Sequence, residues 1–320
     1  MVYSRKVPSA PALKEPKKGF LFELRKNKIL FLMLSPALLY FVLFFYIPFV
    51  GAYYAFVNYN YALGLFRSPF VGFANFRFLF VSNVIVRLTV NTLLYNVAFI
   101  AFGNFFQIMI AILISRITSP LYRRVTQTMI FLPYFISFVL VGLFAYGFLN
   151  YDYGMIDAFL KRVGIERISF YTAPQYWKFI LPAAYVWKWL GYGSVIYLAS
   201  IMSINGELYD AASIDGAGVF RQIWAVTLPM LKPTVIILLL FSIGTILRGQ
   251  FELFYQIIGR NGLLYNATDI IDTYVYRSLI VSAQLSLGTA AGLYQSVFGL
   301  VVILAANFAI KKFDPEYALF

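Results

Sequence analysis

Two absent residue types bound the chemistry open to this 320-residue chain: it contains no His and no Cys. A disulfide, a thiol nucleophile, an imidazole base and the usual zinc or haem ligand sets are excluded, and with them most metallo- and triad-enzyme mechanisms. No Gly-x-x-x-x-Gly-Lys-Ser/Thr phosphate loop occurs, nor any Gly-Lys pair, so ATP is not held by that route. Asp152, Asp157, Asp269 and Asp272 lie between apolar stretches at spacings that suit no paired-carboxylate catalysis, so no catalytic residue and no metal site is assigned. What remains is a few ionisable residues within apolar sequence: Lys188, between Trp187 and Trp189, and Arg248 with Glu252. Such residues are functional candidates because charge is expensive inside a bilayer. The plain alternatives are a Lys188 that snorkels to an interface and an i,i+4 surface pair of Arg248 and Glu252.

The other informative stretch is Asn205-Gly-Glu-Leu-Tyr-Asp-Ala-Ala-Ser-Ile-Asp-Gly-Ala-Gly-Val-Phe-Arg-Gln-Ile-Trp-Ala-Val-Thr-Leu-Pro229. Asn205 is a good N-cap, and Glu207 and Asp210 fall in a first turn, where carboxylates complement the positive end of a helix dipole. Ala211 and Ala212 offer a small-residue surface, and Gly216 is placed to bend the chain and to permit close backbone approach. A second helix over about 217–227 shows Val219, Ile223 and Val226 at helical spacing, and Pro229 and Pro233 mark the turn into the next span. Such a segment is either an amphipathic loop lying on a membrane or a docking element.

The elements that must position these residues follow from composition: 61% of the chain is apolar, 12% is charged, and the mean hydropathy is +0.77. Ordinary soluble chains run at roughly 45–50% apolar and about 25% charged, so the excess apolar surface calls for a bilayer. Charge-poor stretches long enough to cross lie near 29–52, 89–114, 125–149, 179–203, 232–251 and 287–310, the first followed by an aromatic exit at Tyr53, Tyr54, Tyr59 and Tyr61. All six should be helices, since lipid offers no partner to backbone N–H and C=O groups. Residues 1–50 read as a retained first span, because the basic region is too long and the apolar run too extended for a cleaved leader. The preceding 1–28, with prolines among lysines, is expected to lack order until it meets the membrane surface. The spacing Gly288-x-x-x-Gly292 suits close helix approach or ordinary glycine usage in a span.

Six spans place both termini on one side, and charge says which. The net charge is +13. Fifteen Lys and Arg fall in 1–28, 115–124, the loop after the fourth span and the tail 314–320 with its preceding Lys311 and Lys312; nine fall in the opposite loops. The positive-inside rule puts the termini in the cytoplasm, and the surplus reports topology rather than a nucleic-acid partner.

The pattern Asp210-Ala211-Ala212, three residues, Gly216, nine residues, Val226-Thr227-Leu228-Pro229 resembles the EAA loop of membrane subunits of bacterial ATP-binding-cassette importers that work with a solute-binding protein. Glu207 to Ala217 is similar to the carbohydrate-uptake branch. Trp187-Lys188, Tyr197-Leu198-Ala199, Asp272 to Arg277 and Ala291 to Ser296 resemble stretches of its oligosaccharide and polysaccharide permeases, across roughly residues 28–313. The resemblance implies an all-α membrane protein of type I importer architecture, with 29–313 as the permease domain and 205–229 as the cytoplasmic coupling loop. It implies that Glu207, Leu208, Tyr209, Asp210, Ala211, Ala212, Asp215 and Gly216 enter a cleft of a partner ATPase. The family's usual Glu is Asp210 here, which leaves open whether Asp210 or Glu207 makes the ionic contact, and Asp210 also suits plain helix stabilisation.

By the same resemblance the chain binds no cofactor, ATP and Mg being used by the partner ATPase. The implied partners are a second, similar permease in a heterodimer, two ATPase subunits, a solute-binding protein on outer loops 58–83, 150–178 and 252–286, membrane lipid and a sugar, in the bacterial cytoplasmic (inner) membrane. Sugars are held by aromatic faces and directed hydrogen bonds, for which Trp187, Trp189, Tyr192, Tyr197, Asn91, Asn96, Gln250 and Tyr255 are of suitable type. Lys188 and Arg248 near such a path would favour an acidic sugar such as a uronate oligosaccharide. The rivals are a proton-coupled secondary sugar transporter, which would want acidic residues in mid-span where only Glu252 at an edge is offered, and a membrane-embedded transferase.

Overall fold

The computed structural model describes residues 20–313; the expectations for 1–19, including Arg5, Lys6, Lys14, Lys17 and Lys18, and for the tail 314–320 lie outside the described residues. The chain divides into two units, residues 1–52 and 53–320.

In the first unit, Phe20–Lys26 forms helix α1, which corrects the expectation of an unordered 1–28 for those residues. Arg25 and Lys26 occupy its last turn, where cations suit the negative end of the dipole. From Lys28 a second helix, α2, runs to Phe56 with a mean hydropathy of 2.3 and none of its most apolar window buried. A π turn over Val42–Tyr46 precedes Pro48. The wider turn accommodates a ring that cannot donate and would clash with the carbonyl four residues back.

The second unit is helical throughout its regular structure. Its helices are α3 (Ala74–Val81), α4 (Val84–Ser115), α5 (Pro120–Phe135), α6 (Phe138–Leu149), α7 (Met155–Arg162), α8 (Trp177–Met202) and α9 (Gly206–Ile214). They are followed by α10 (Val219–Gly244), α11 (Phe251–Ile258), α12 (Ile271–Tyr276) and α13 (Leu285–Phe313). Among the described residues the only extended pairing is one isolated bridge between Val57 and Phe70.

Among the described residues four helices are long and apolar enough to cross a membrane, namely α2, α4, α10 and α13, and a fifth span results if α5 and α6 are counted as one. The expected continuous span 125–149 is corrected on this point, because α5 and α6 meet at a 94° bend. Pro133 weakens the end of α5, and Ser137 caps α6 by accepting from the Leu140 N–H. The expected 179–203 corresponds to α8, whose 26 residues span about 39 Å at 1.5 Å per residue. It carries Lys178 and Lys188 and falls outside the set that is apolar enough.

The expected 232–251 is also corrected. Its helix begins at Val219, passes Pro229 and Pro233 by way of a π turn over Ile223–Thr227, and stops at Gly244. The second helix of the 205–229 segment is therefore the start of this span and not a separate element. The π turn gives Pro229 room, and the end falls where Ser242–Thr245 turn out of helical geometry.

α8 is the inner element, packed on α4, α5 and α10. Two glycines make that approach possible: a Cβ on Gly191 would lie 2.4 Å from the Ile130 carbonyl oxygen of α5, and one on Gly193 would lie 2.1 Å from the Gln107 side chain of α4. Gly288 similarly faces Leu279, whereas nothing lies within 4 Å of a Cβ on Gly292, so the two glycines do not act together as a helix-approach motif within the chain. Apolar burial is split into three clusters. One gathers Phe99, Trp177, Leu181 and Phe254; a second Leu88, Leu247 and Ala290; a third Ala111, Tyr197 and Leu231. In lipid the outer faces need no covering, so burial follows helix contacts instead of one central core.

Candidate coupling surface and cleft

The 205–229 segment has the capped geometry its residue types imply. Asn205 accepts from the Glu207 N–H at 3.1 Å and donates to Glu207 Oε2 at 3.0 Å, starting α9. Gly216 ends it at φ +76°, and the Ala217 N–H reaches back to the Ala212 carbonyl at 2.8 Å, a left-handed cap that glycine adopts without penalty. Nothing lies within 4 Å of a Cβ there, so Gly216 serves the bend and not a close approach within this chain.

Side-chain contacts lash α9 to two spans. Arg116, following α4, donates from Nη1 to Gln222 Oε1 at 3.1 Å, and Gln222 Nε2 donates to Ser213 Oγ at 2.9 Å. The Arg116 guanidinium also lies over the Tyr209 ring at 5.3 Å, and the Tyr209 hydroxyl bonds Thr227 Oγ1 at 3.0 Å. Tyr209 is thus half-buried, with its hydroxyl held at the first turns of α10. Glu207, Leu208, Asp210, Ala211 and Asp215 remain exposed, and Ala212 is half-buried. Ile214 and Phe220 stand out beside them, 87% and 81% exposed. Arg116, Gln222 and Thr227 were not legible as parts of this device, since their partners are 9 to 106 residues away.

The residues expected along a polar path separate into three groups. Lys188 is 4% exposed and lines none of the cavities walled by Trp189, Arg248 or Tyr255. Its ammonium donates to the carbonyls of Pro133 at 3.1 Å, Tyr134 at 2.8 Å and Ile136, and so fills the donor vacancies at the α5–α6 break. Both sequence expectations for it, snorkelling and path lining, give way to this, because three carbonyls converging in an apolar surround, two of them freed by the break, are strong partners for one ammonium. Asn91, Asn96 and Tyr197 are likewise engaged internally. Asn91 Nδ2 donates to the Asn266 and Asp269 carbonyls, Asn96 to the Thr92 carbonyl, and the buried Tyr197 hydroxyl to Asn104 Oδ1.

Trp189 and Tyr192 do line a cleft, of about 400 Å³, between α4, α8 and α10. Gln107, Asn104, Tyr185, Phe241, Ser242 and Thr245 complete its walls. Tyr192 stacks on Tyr134 with centroids 4.9 Å apart, and Trp189 meets Tyr134 edge-on at 5.5 Å. The indole Nε1 of Trp189 is buried with no hydrogen-bond partner in the chain. The polar members Gln107, Asn104, Ser242 and Thr245 escaped sequence reasoning because helical spacing inside an all-apolar helix carries little facial contrast.

Arg248 lines a second pocket, of about 500 Å³, where α10 ends, together with Thr245, Asp272, Gln295 and Ser296. The expected Arg248–Glu252 pair does not form, because helix breaks off at Gly244 and resumes only at Phe251, so the two residues do not share a helical face. Asp272 Oδ2 accepts from the Gly249 N–H at 2.7 Å and from Gln295 Nε2 at 3.1 Å, while Gln295 also donates to the Leu247 carbonyl at 2.6 Å. Burial pushes the Asp272 carboxyl above the usual range, opposed by those hydrogen bonds and by Arg248. Trp187, Gln250 and Glu252 line neither pocket, and Tyr255 belongs to a smaller one near Arg277 and Asp269.

A bundle of apolar helices, a capped cluster of short helices at one end and an aromatic-polar cleft between spans define a membrane permease. The chain belongs to the family described as the inner membrane component of binding-protein-dependent transport systems, whose model matches residues 103–316. It is 36% identical over 293 residues to Protein LplB of Bacillus subtilis (strain 168), covering 92% of each chain. It is 34% identical over 303 residues to the polygalacturonan/rhamnogalacturonan transport system permease protein YteP of the same organism, covering 95% of this chain and 94% of that one. Among solved structures it resembles a chain of a bacterial ABC transporter involved in the import of the acidic polysaccharide alginate, with a TM-score of 0.82, 33% identity and coverage of 92% and 99%. The chain is accordingly the permease subunit of an ABC importer for sugars or polysaccharides, a transport component of the inner membrane that works with a solute-binding protein. This favours ATP-driven import over the proton-coupled carrier.

Proposed function

We infer that this permease moves an acidic oligosaccharide or polysaccharide inward by alternating access, as half of a heterodimer with a second, similar permease. Two ATPase subunits, which use ATP and Mg, engage the exposed Glu207, Leu208, Asp210 and Ala211 face of α9 in the cytoplasm. The basic bias of the α9 side and of the N-terminal segment supports that orientation, with both termini cytoplasmic, six spans in all and the solute-binding protein on loops 58–83, 150–178 and 252–286. The observation that carries the reading is the lashing of α9 to the end of α4 and the start of α10 by Arg116, Gln222 and Tyr209. Movement imposed on an exposed short helix so tied would reach two spans directly. The cleft lined by Trp189, Tyr192 and Gln107 then offers sugar rings an aromatic face with amide donors beside it.

The substrate class is supported by the relatives named for polygalacturonan/rhamnogalacturonan and for alginate. The test is uptake by the assembled importer in vesicles, with binding protein and a uronate oligosaccharide outside and ATP supplied within. Accumulation is expected only with ATP; accumulation driven by an imposed proton gradient without ATP would sink the reading.

A further inference from the structure

We propose that Arg248 is the specificity-determining residue of this permease, pairing with the carboxylate of an acidic saccharide in the pocket beside the α10–α11 break; this rests on the acidic-saccharide reading above. Three observations converge on it. First, residues 245–250 are non-helical between a span and the next helix. Irregular backbone at such a place is tolerated only where protein buries it or a water-filled cavity adjoins it, and here it borders a pocket of about 500 Å³. Interrupted helices of this kind recur as ion and substrate sites in transporters because their freed polar groups face the cavity.

Second, the break leaves one guanidinium with no hydrogen-bond or ion-pair partner, although it acts electrostatically on the Asp272 carboxyl of the same pocket. Asp272 and Gln295 satisfy the Gly249 N–H and the Leu247 carbonyl, so the backbone makes no demand on Arg248. The two ion pairs among the described residues belong to other arginines, Arg167 with Asp157 and Arg277 with Asp269. Among the described residues the Arg248 guanidinium is exposed, lines the pocket, and makes neither a hydrogen bond nor an ion pair. Lys188, the other cation expected near a polar path, is occupied by three carbonyls and cannot serve.

Third, Thr245 belongs to the walls of both this pocket and the cleft of Trp189 and Tyr192. Aromatic faces and a free guanidinium thus lie on either side of one residue at the end of α10. That pairing fits a uronate: the rings pack against its apolar face, and a planar fork of donors matches its carboxylate bidentately. A neutral hexose would use the first part and leave the second unpaired.

The experiment uses the complete importer with its binding protein and measures, on one preparation, uptake of a uronate oligosaccharide and of the same oligosaccharide with its carboxylates methyl-esterified. The ratio of the two is independent of how much complex assembles. Arg248→Gln is expected to lower the uronate-to-ester ratio about tenfold, the loss of a charge-assisted bidentate contact, and Arg248→Lys to lower it less, since an ammonium keeps the charge without the fork. An unchanged ratio in both variants overturns the role of Arg248. If the unsubstituted importer itself prefers the ester, the acidic-saccharide reading has failed and Arg248 with it; if it prefers the uronate while both variants keep its ratio, that reading stands and only the assignment to Arg248 falls.

Discussion

Two interruptions of the membrane helices, at Ile136–Ser137 and at Thr245–Gln250, solve one problem with opposite charges. At the first, freed carbonyls are answered by the Lys188 ammonium from a neighbouring span. At the second, an N–H and a carbonyl are answered by Asp272 and by the Gln295 amide. The consequence differs accordingly. The cation at the first break is bound by structure, whereas the cation at the second, Arg248, is left facing a pocket. A charged residue within apolar sequence is therefore not one kind of signal: its meaning depends on which backbone groups its surroundings leave unsatisfied.

Substitutions at the breaks test this contrast. The largest effect is expected from Lys188→Met, which keeps the stem but strands the Tyr134 and Ile136 carbonyls, that of Pro133 still accepting from the Ile136 N–H; at roughly 1–3 kcal/mol for each buried group left unsatisfied, the loss is about 2–6 kcal/mol. Thermal unfolding of the detergent-solubilised complex should fall markedly, and the uronate-to-ester ratio of any surviving complex should stay as it was. A stable Lys188→Met protein with an altered ratio would reverse the assignments of the two cations. Asp272→Ala comes next, at about 1–3 kcal/mol, because it strands the Gly249 N–H and one Gln295 donor; Asp272→Asn should recover most of the stability by keeping an acceptor. The smallest is Ser137→Ala, which removes the cap of α6 and should cost about 0.5–1 kcal/mol, given the long 3.4 Å contact. If it costs as much as Lys188→Met, the first break is held by its cap and not by the ammonium.

Legibility in the sequence was uneven for identifiable reasons. The α9 segment could be read because capping is local: Asn205, Glu207 and Gly216 act within a few residues of themselves. The α10 boundary was misplaced because Pro229 and Pro233 signal a helix end, and a π turn that absorbs a proline leaves no mark in composition. The bend after Pro133 was likewise hidden within a long apolar run, since the residue that stabilises it lies more than fifty positions on. Among the path candidates, Trp189, Tyr192 and Arg248 line cavities, while Lys188, Asn91 and Asn96 donate to backbone carbonyls and Tyr197 to Asn104.

Sequence alone determined that the chain is a helical membrane protein, that it lacks the side chains of most enzyme chemistry, and that it carries a capped short helix between two spans. Those properties follow from composition and from interactions a few residues in range. Tertiary structure alone decided where spans break, which cation is occupied and which is free, and what ties α9 to the spans. Each of these depends on a donor meeting an acceptor far along the chain, and in an apolar interior an unmet polar group is costly enough to fix the outcome.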